Sequence, residues 1–181
     1  MNFDKLRRAV FLDRDGVINR AIVREGRPYP PKNHRQLEIL PGVVEALRGL
    51  HAANYLLIVV TNQPDVARGT ATKEEVERIN SYLASQLPLD EFRTCYHDSD
   101  DGCNCRKPLP GAILDAAKKL DIDLSKSFMV GDRWRDIEAG QKAGCKTFFI
   151  NYRYEEKMPD APDFIVSSLL EAERIILGEF K

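Results

Sequence analysis

The sequence predicts an α/β protein built on a doubly wound, mostly parallel sheet with helices on both faces. Three observations predict it. The short strand-like runs are apolar throughout instead of at every second residue, they alternate with helical patterns along almost the whole chain, and polar clusters recur where they stop. A strand with one wet face alternates, whereas a strand covered on both faces does not.

Taken in order, Ala9-Val-Phe-Leu12 is the first run, and it stops at the polar turn Asp13-Arg-Asp-Gly16. Helical spacing begins after Pro41-Gly42. Val43, Leu47 and Leu50 share one face, with Pro41 near the helix start, where its missing N–H costs little. Leu56 to Val60 is a second buried strand, ended by Thr61-Asn-Gln-Pro64. Thr72-Lys-Glu-Glu75 reads as a capping box, and Val76, Ile79, Leu83 and Leu87 continue it at spacings of three and four. Phe92 to Tyr96 is a weaker strand, and a helix follows Pro110 through Leu120. Ser127 to Val130 is a third buried strand ending at Gly131-Asp132, with a short helix from about Asp136 to Ala143. Thr147 to Ile150 and Phe164 to Val166 complete the strands, and Ser168-Leu-Leu-Glu171 opens the last helix as a second capping box.

Composition sets the class. The chain has 181 residues, 43% hydrophobic and 30% charged, with 27 basic against 28 acidic side chains and a net charge of −1. We read one domain over 1–181, with no repeat and no low-complexity stretch. The near-neutral balance supplies no field that would draw the whole protein onto nucleic acid or an anionic membrane, so an anionic ligand must meet local cations. The longest apolar run, Tyr55 to Val60, is far short of the ~20 residues of a membrane-spanning helix. The opening Met1-Asn-Phe-Asp-Lys-Leu-Arg-Arg8 lacks the apolar segment of an export signal. We expect a cytoplasmic monomer with neither a membrane nor a nucleic-acid partner.

In open parallel sheets, ligands bind beyond the carboxyl ends of the strands. Asp13 and Asp15, Thr61 and Asn62, and Asp132 all stand at such ends, while Lys107 precedes a helix. Two carboxylates two residues apart can supply a nucleophile and a general acid/base, but an isolated Asp-x-Asp-Gly is more often plain turn chemistry. Thr61 and Asn62 can cap a strand end, Lys107 can be a solvated lysine, and Asp132 can be a turn or cap residue. The ordered set is what favours the chemical reading.

Cys95-x-His97, five residues, then Cys103-x-Cys105 offers three thiolates and an imidazole within eleven positions, the donor set of a closed tetrahedral zinc site. Such a loop, 95–105, would be structural, and it would hold Arg106 and Lys107 in place. Cys145 reads as a small apolar residue entering a strand.

Phe11-Leu-Asp-Arg-Asp-Gly-Val17, Val59-Val-Thr-Asn-Gln63, Cys105-Arg-Lys-Pro108 and Val130-Gly-Asp-Arg-Trp-Arg-Asp136 together resemble the haloacid dehalogenase-like phosphohydrolases over about residues 9 to 150. The resemblance implies a Rossmann-like fold and a phosphatase acting through an aspartyl-phosphate. Asp13 would be the nucleophile and Asp15 the general acid/base. Mg²⁺ would be held by the Asp13 carboxylate, the Asp15 backbone carbonyl and the Asp132 carboxylate, with Asp136 either orienting a metal-bound water from an outer position or capping a helix. Thr61, the Asn62 N–H and Lys107 would bind the phosphoryl oxygens, with Gln63, Arg68, Arg106 and Arg133 as further substrate contacts.

The zinc loop resembles that of two phosphatase groups within this family, acting on D-glycero-D-manno-heptose 1,7-bisphosphate and on histidinol phosphate. The short His97 to Cys103 spacer resembles the second group. Thr61-Asn-Gln-Pro-Asp-Val-Ala-Arg-Gly69 resembles the first, and it weighs more because Arg68 could meet a second phosphate. A phosphorylated sugar, and the 7-phosphate of the heptose bisphosphate in particular, is therefore the expected substrate. A DNA 3′-phosphatase and a phospho-acceptor module are the competing readings. Where many heptose phosphatases carry Asp-x-Gly-Tyr, this chain has Arg20 to Pro31, leaving Arg24 and Arg27 as solvated residues or substrate contacts. About 25 residues between Asp15 and Pro41 leave no room for a cap domain of about 50 residues or more. The site should be open, walled by the 19–40 flap and the zinc loop.

Overall fold

The structure, a computed structural model, describes residues 6–178; residues 1–5 of the segment read above for an export signal lie outside it. Among the described residues no helix is long and apolar enough to cross a membrane.

Six strands form one parallel sheet: β1 (Arg8–Leu12), β4 (Tyr55–Asn62), β5 (Glu91–Cys95), β6 (Phe128–Gly131), β7 (Lys146–Ile150) and β8 (Phe164–Val166), in the order β5-β4-β1-β6-β7-β8. A short antiparallel hairpin, β2 (Ile22–Arg24) with β3 (Arg27–Tyr29), stands apart from the sheet. The helices are α1 (Val43–Ala52), α2 (Lys73–Gln86), α3 (Gly111–Leu120), α4 (Trp134–Ala143) and α5 (Leu169–Leu177).

The sheet separates two cores, which explains the unbroken apolar runs. Val10 and Leu12 of β1, with Leu57 and Val59 of β4, pack under α1, α2 and α5 beside Leu47, Ile79 and Leu169. Their chain neighbours Ala9, Phe11, Ile58 and Val60 point the other way, against Ile113 and Ala116 of α3 and Ala139 of α4. Fully burying one such side chain stabilises by roughly 1.5–3 kcal/mol, so both faces hold the sheet in register.

Thr72 caps α2 through Oγ1, which accepts from Glu75 N–H at 3.2 Å. At α5, Ser168 accepts from Glu171 N–H, but the Glu171 carboxylate reaches one residue further back, to the Ser167 N–H at 2.7 Å. The last helix thus starts where expected with a shifted second bond. Helix α4 starts at Trp134, two residues earlier than its apolar spacing suggested, because Asp136 caps the Arg133 N–H from within the first turn (3.0 Å).

The 19–40 flap is the hairpin on a short stalk. Arg20 forks onto Glu38 at the stalk, and at the tip the Gly26 carbonyl accepts from the Glu155 N–H at 2.8 Å. That last contact brings in a wall the sequence reading did not anticipate, the segment after β7 that carries Tyr152, Tyr154 and Glu156. There is no cap domain among the described residues.

Candidate active site

β1 lies between β4 and β6, the point where the sheet changes winding direction, and the strands are parallel, so their polar ends converge at one edge. The Asp13 N–H continues the β1–β6 ladder onto the Val130 carbonyl at 3.0 Å, which fixes Asp13 beside Asp132. Gly16 makes this approach possible. Its φ is +98°, and a Cβ there would lie 1.9 Å from an Asp132 carboxylate oxygen. Turn chemistry and site chemistry therefore coexist in Asp13-Arg-Asp-Gly16. Gly131 does the same for Asp136, whose Cβ would otherwise be met at 2.1 Å.

Lys107 is no solvated lysine. It is 2% exposed, and its ammonium contacts Asp13 Oδ1 at 2.8 Å, Asp136 Oδ1 at 2.7 Å and the Val60 carbonyl at 2.6 Å. Burial works against its charge, but Asp13 and Asp136 outweigh burial and hold it above the usual lysine value. Asn62 secures the lysine's backbone in both directions, donating to the Lys107 carbonyl at 3.0 Å and accepting from its N–H at 3.1 Å. Asn62 thus acts through its side chain, where the sequence reading assigned it only a backbone N–H.

Asp136 takes the capping role expected for it and adds an ion pair the sequence reading did not foresee. One oxygen caps α4 and the other meets Lys107, so its oxygens are engaged. Asp132 differs: it is 1% exposed, and among the described residues neither carboxylate oxygen has a partner at hydrogen-bond distance, although the Tyr154 hydroxyl is near enough to offset a little of its burial. Oxygens of Asp13, Asp132 and Asp136 lie within 4.8 Å of one another. Burial and then the neighbouring carboxylates push Asp132 well above the usual range, and burial with Asp136 raises Asp13 to about 6 despite Lys107. Orphaned, crowded, hard oxygen donors of this kind fit a divalent cation such as Mg²⁺, which would remove both the repulsion and the unmet hydrogen-bonding capacity.

That crowding has a measurable sign. A carboxyl whose folded value lies above its unfolded value contributes stability at low pH that is lost as pH rises through the folded value, here from about 4 to about 6 for Asp13. Without added divalent cation, Asp132→Asn is expected to melt above wild type at pH 7.5, because it removes a charge that burial and the neighbouring carboxylates disfavour. The advantage should shrink at pH 5.5, and Mg²⁺ should reverse it by stabilising only wild type. Thermal melts at both pH values, with and without Mg²⁺, check this; a variant less stable than wild type throughout would show that Asp132 carries no excess charge.

Thr61 and Gln63 end β4 inside the protein. Gln63, expected at the substrate, is 2% exposed and turned inward, donating to Asp15 Oδ2 at 2.8 Å and to Thr61 Oγ1 at 2.9 Å. Asp13, Asp15, Thr61, Asn62 and Lys107 line one open pocket of about 310 Å³. Five arginines, Arg27, Arg68, Arg106, Arg133 and Arg135, also line it. Arg68 forks onto Asp98 at 2.5 and 2.8 Å, pulling that carboxyl down to about 2. Arg106 donates to the His97 carbonyl at 3.1 Å, and Arg133 forks onto Glu156. Arg135 has no carboxylate partner among the described residues; burial and then its neighbours Arg133 and Arg106 lower it. The sequence reading missed Arg135, although it stands one residue before Asp136 in a word already singled out. Arg27, on the hairpin, joins the pocket, and Arg24 does not.

The Cys95, His97, Cys103 and Cys105 donors also lie within 4.8 Å of one another. Cys95 Sγ is 3.1 Å from Cys105 Sγ, 3.7 Å from Cys103 Sγ and 3.6 Å from His97 Nδ1. Tetrahedral zinc with Zn–S near 2.3 Å puts its ligand atoms about 3.7 Å apart, so the set fits Zn²⁺. Burial and the adjacent thiols push Cys105 up to about 12, the strain a cation among thiolates would relieve. Cys145 is buried elsewhere, in the core under α3 and α4.

Comparison with known proteins agrees with this geometry. Residues 104–172 match the HAD-hydrolase-like family model. The D-glycero-beta-D-manno-heptose-1,7-bisphosphate 7-phosphatase of Rhodopseudomonas palustris is 35% identical over 93% of this chain and 93% of its own length. That of Pasteurella multocida is 32% identical over 96% and 98%. The crystal structure of D,D-heptose 1,7-bisphosphate phosphatase from B. bronchiseptica, complexed with magnesium and phosphate, superposes with a TM-score of 0.80 at 30% identity, covering 96% of this chain and 99% of that one. Identity at this level over nearly the full length, on the same sheet, places the chain among the haloacid dehalogenase-like phosphatases, in the group of the D-glycero-D-manno-heptose 1,7-bisphosphate 7-phosphatases.

Proposed function

We propose that this phosphatase removes the 7-phosphate of a D-glycero-D-manno-heptose 1,7-bisphosphate. The observation that carries the reading is that one open pocket is lined both by Asp13, Asp15 and Lys107 and by five arginines. One phosphate would react at Asp13 while a second anion sits among Arg68, Arg106, Arg133 and Arg135. Arg135, cationic and unpaired by any described carboxylate, has the most to gain from that anion.

In this reading Asp13 attacks phosphorus in line, forming the aspartyl-phosphate as the P–O bond to the sugar breaks. Asp15 gives its proton to the departing sugar oxygen, then takes one from the water that cleaves the aspartyl-phosphate to free phosphate and Asp13. General acid/base help of this kind is typically about 10²–10⁴-fold, too little for a phosphate monoester, so charge stabilisation must supply most of the rest. Asp13, Asp132 and the Asp15 backbone carbonyl would hold Mg²⁺, with Asp136 at the outer edge. Bound there, the ion supplies positive charge that lets an anionic nucleophile meet an anionic phosphate. Thr61, the Asn62 N–H and Lys107 steady the equatorial oxygens. The Cys₃His loop would hold structural zinc behind Arg106.

The test is kcat/KM for both anomers of the heptose bisphosphate, histidinol phosphate and a 3′-phosphorylated oligonucleotide. A preference of tenfold or more for one heptose anomer supports the reading; a preference for histidinol phosphate or the oligonucleotide overturns it. Arg135→Met sharpens the result. It should raise KM for the bisphosphate about tenfold, roughly one charged hydrogen bond, and leave KM for a heptose monophosphate within about twofold. Equal effects on both substrates would remove Arg135 from the second-phosphate site.

A further inference from the structure

Arg14 has no place in the chemistry above, yet it heads the fully buried side chains by volume among the described residues, 0% exposed. Burying a guanidinium is costly unless its charge and hydrogen bonds are matched. It is matched here by Asp15. Nε and Nη2 of Arg14 fork onto Asp15 Oδ1 and Oδ2 at 3.3 and 3.1 Å, and Nη1 donates to Asn80 Oδ1 of α2 at 2.9 Å. Asn80 in turn donates to Thr94 Oγ1 on β5 at 3.1 Å. Asn19 Nδ2 and Gln63 Nε2 complete the shell, at 2.9 Å from Oδ1 and 2.8 Å from Oδ2.

We propose that Arg14 is a positioning residue for Asp15, and that the Arg14–Asn80–Thr94 chain ties the facing of the Asp15 carboxyl to α2 and β5. A side chain on a short turn can otherwise rotate about χ1 and χ2. The planar guanidinium fork removes that freedom, because two parallel bonds fix the plane of the carboxyl as well as its place. Asn80 fixes the fork itself: it leaves the guanidinium one orientation in which all its contacts are met. A turn with only a structural need could fill this space with an aliphatic side chain and bury no charge. The inference rests on the proposed role of Asp15 as general acid/base.

The test separates the two. kcat and KM are measured for Arg14→Met, Arg14→Lys, Asn80→Leu and Asp15→Asn with two substrates: the best sugar phosphate of the panel above, whose leaving alkoxide needs a proton, and 4-nitrophenyl phosphate, whose leaving phenolate does not. Arg14→Met should lower kcat for the sugar phosphate by about 10- to 100-fold, part of the range available to general acid catalysis. KM should stay within about twofold, and the aryl substrate should fall by no more than about threefold. Arg14→Lys should recover part of the loss. Asn80→Leu, which keeps the Arg14–Asp15 pair and removes only its brace, should show the same selectivity at about fivefold and covers the case in which Arg14→Met does not fold. Equal losses on both substrates, or no loss in the folded variants, would overturn the positioning role. If Asp15→Asn itself fails to discriminate between the substrates, the assignment of Asp15 falls, whatever the Arg14 variants do.

Discussion

Asp13→Asn is expected to lower kcat by about 10⁴-fold or more without unfolding the protein. The amide keeps the shape of the side chain, and the N–H of residue 13 keeps its ladder bond to Val130. It cannot form an acyl-phosphate, so the covalent route closes and only the charge stabilisation of the pocket remains. Stability should move the other way. Asp13 is a buried carboxyl held up to about 6 by burial and Asp136, and removing its charge relieves the cluster at neutral pH. We expect a melting temperature within a few degrees of wild type or above it, against a turnover near background in single- and multiple-turnover phosphate release. A variant retaining normal kcat would show that Asp13 is not the nucleophile; an inactive but unfolded one would leave Asp13→Glu, with its displaced carboxylate, to decide on the same assay.

The second large effect is expected in the cysteine loop. Cys103→Ala should reduce bound zinc from about one per chain to near zero and destabilise the protein by about 3 kcal/mol or more, which at this size is a fall of roughly 10 °C. Structural zinc in isolated fingers contributes apparent values of about 10–16 kcal/mol, but this loop is attached to a domain with cores of its own, so most of that is not lost. The effect on turnover should be smaller and indirect. Lys107 has its own brace in Asn62 and its own contacts to Asp13 and Asp136. Arg106 follows the loop and donates to its His97 carbonyl, and Asp98, on the loop, holds Arg68. KM for a bisphosphate should therefore rise more than kcat falls. Metal analysis and thermal melts check the variant, with Cys145→Ala as the comparison expected to keep its zinc. Zinc retained at wild-type level in Cys103→Ala would exclude this residue as a ligand.

Much of this was readable before any coordinates, and the reasons are particular. The strand runs at Ala9 to Leu12 and Leu56 to Val60 could be placed because residues on both sheet faces are buried, which leaves an apolar mark at every position. Strand and helix ends moved by only one or two residues, as at α4, where the Asp136 cap outweighed apolar spacing. Asp13 and Asp132 stand out in the sequence because strand-end polar residues in an otherwise apolar setting are conspicuous, and Lys107 because it precedes a helix within the same ordered set; the structure brings Lys107 to Asp13. The Cys₃His cluster is brought together by a loop short enough for its spacing to state its geometry.

Gln63, Arg14, Asn80 and Arg135 were misplaced or missed for the opposite reason. Arginine, asparagine and glutamine are exposed by default, and no local pattern distinguishes the few that are buried against a carboxylate. Gln63 resembles a substrate contact in its motif, yet it turns inward because Asp15 and Thr61 lie behind it, across two strand ends. The wall carrying Glu156 was also hidden, since it depends on a backbone bond between residues 26 and 155.

The sequence by itself determined the sheet, the helices and the absence of room for a cap, because these follow from periodicity, spacing and length, and it offered many of the candidate chemical groups. Only the tertiary structure decided how the groups are used. Which carboxylate of Asp13, Asp132 and Asp136 has neither oxygen at hydrogen-bond distance of a partner, which pocket arginines lack a carboxylate among the described residues, and which buried cation forks onto Asp15 depend on contacts between residues as far apart as 13 and 107 or 14 and 80. Charge neutralisation and hydrogen-bond satisfaction are properties of neighbours in space, and the chain order does not contain them.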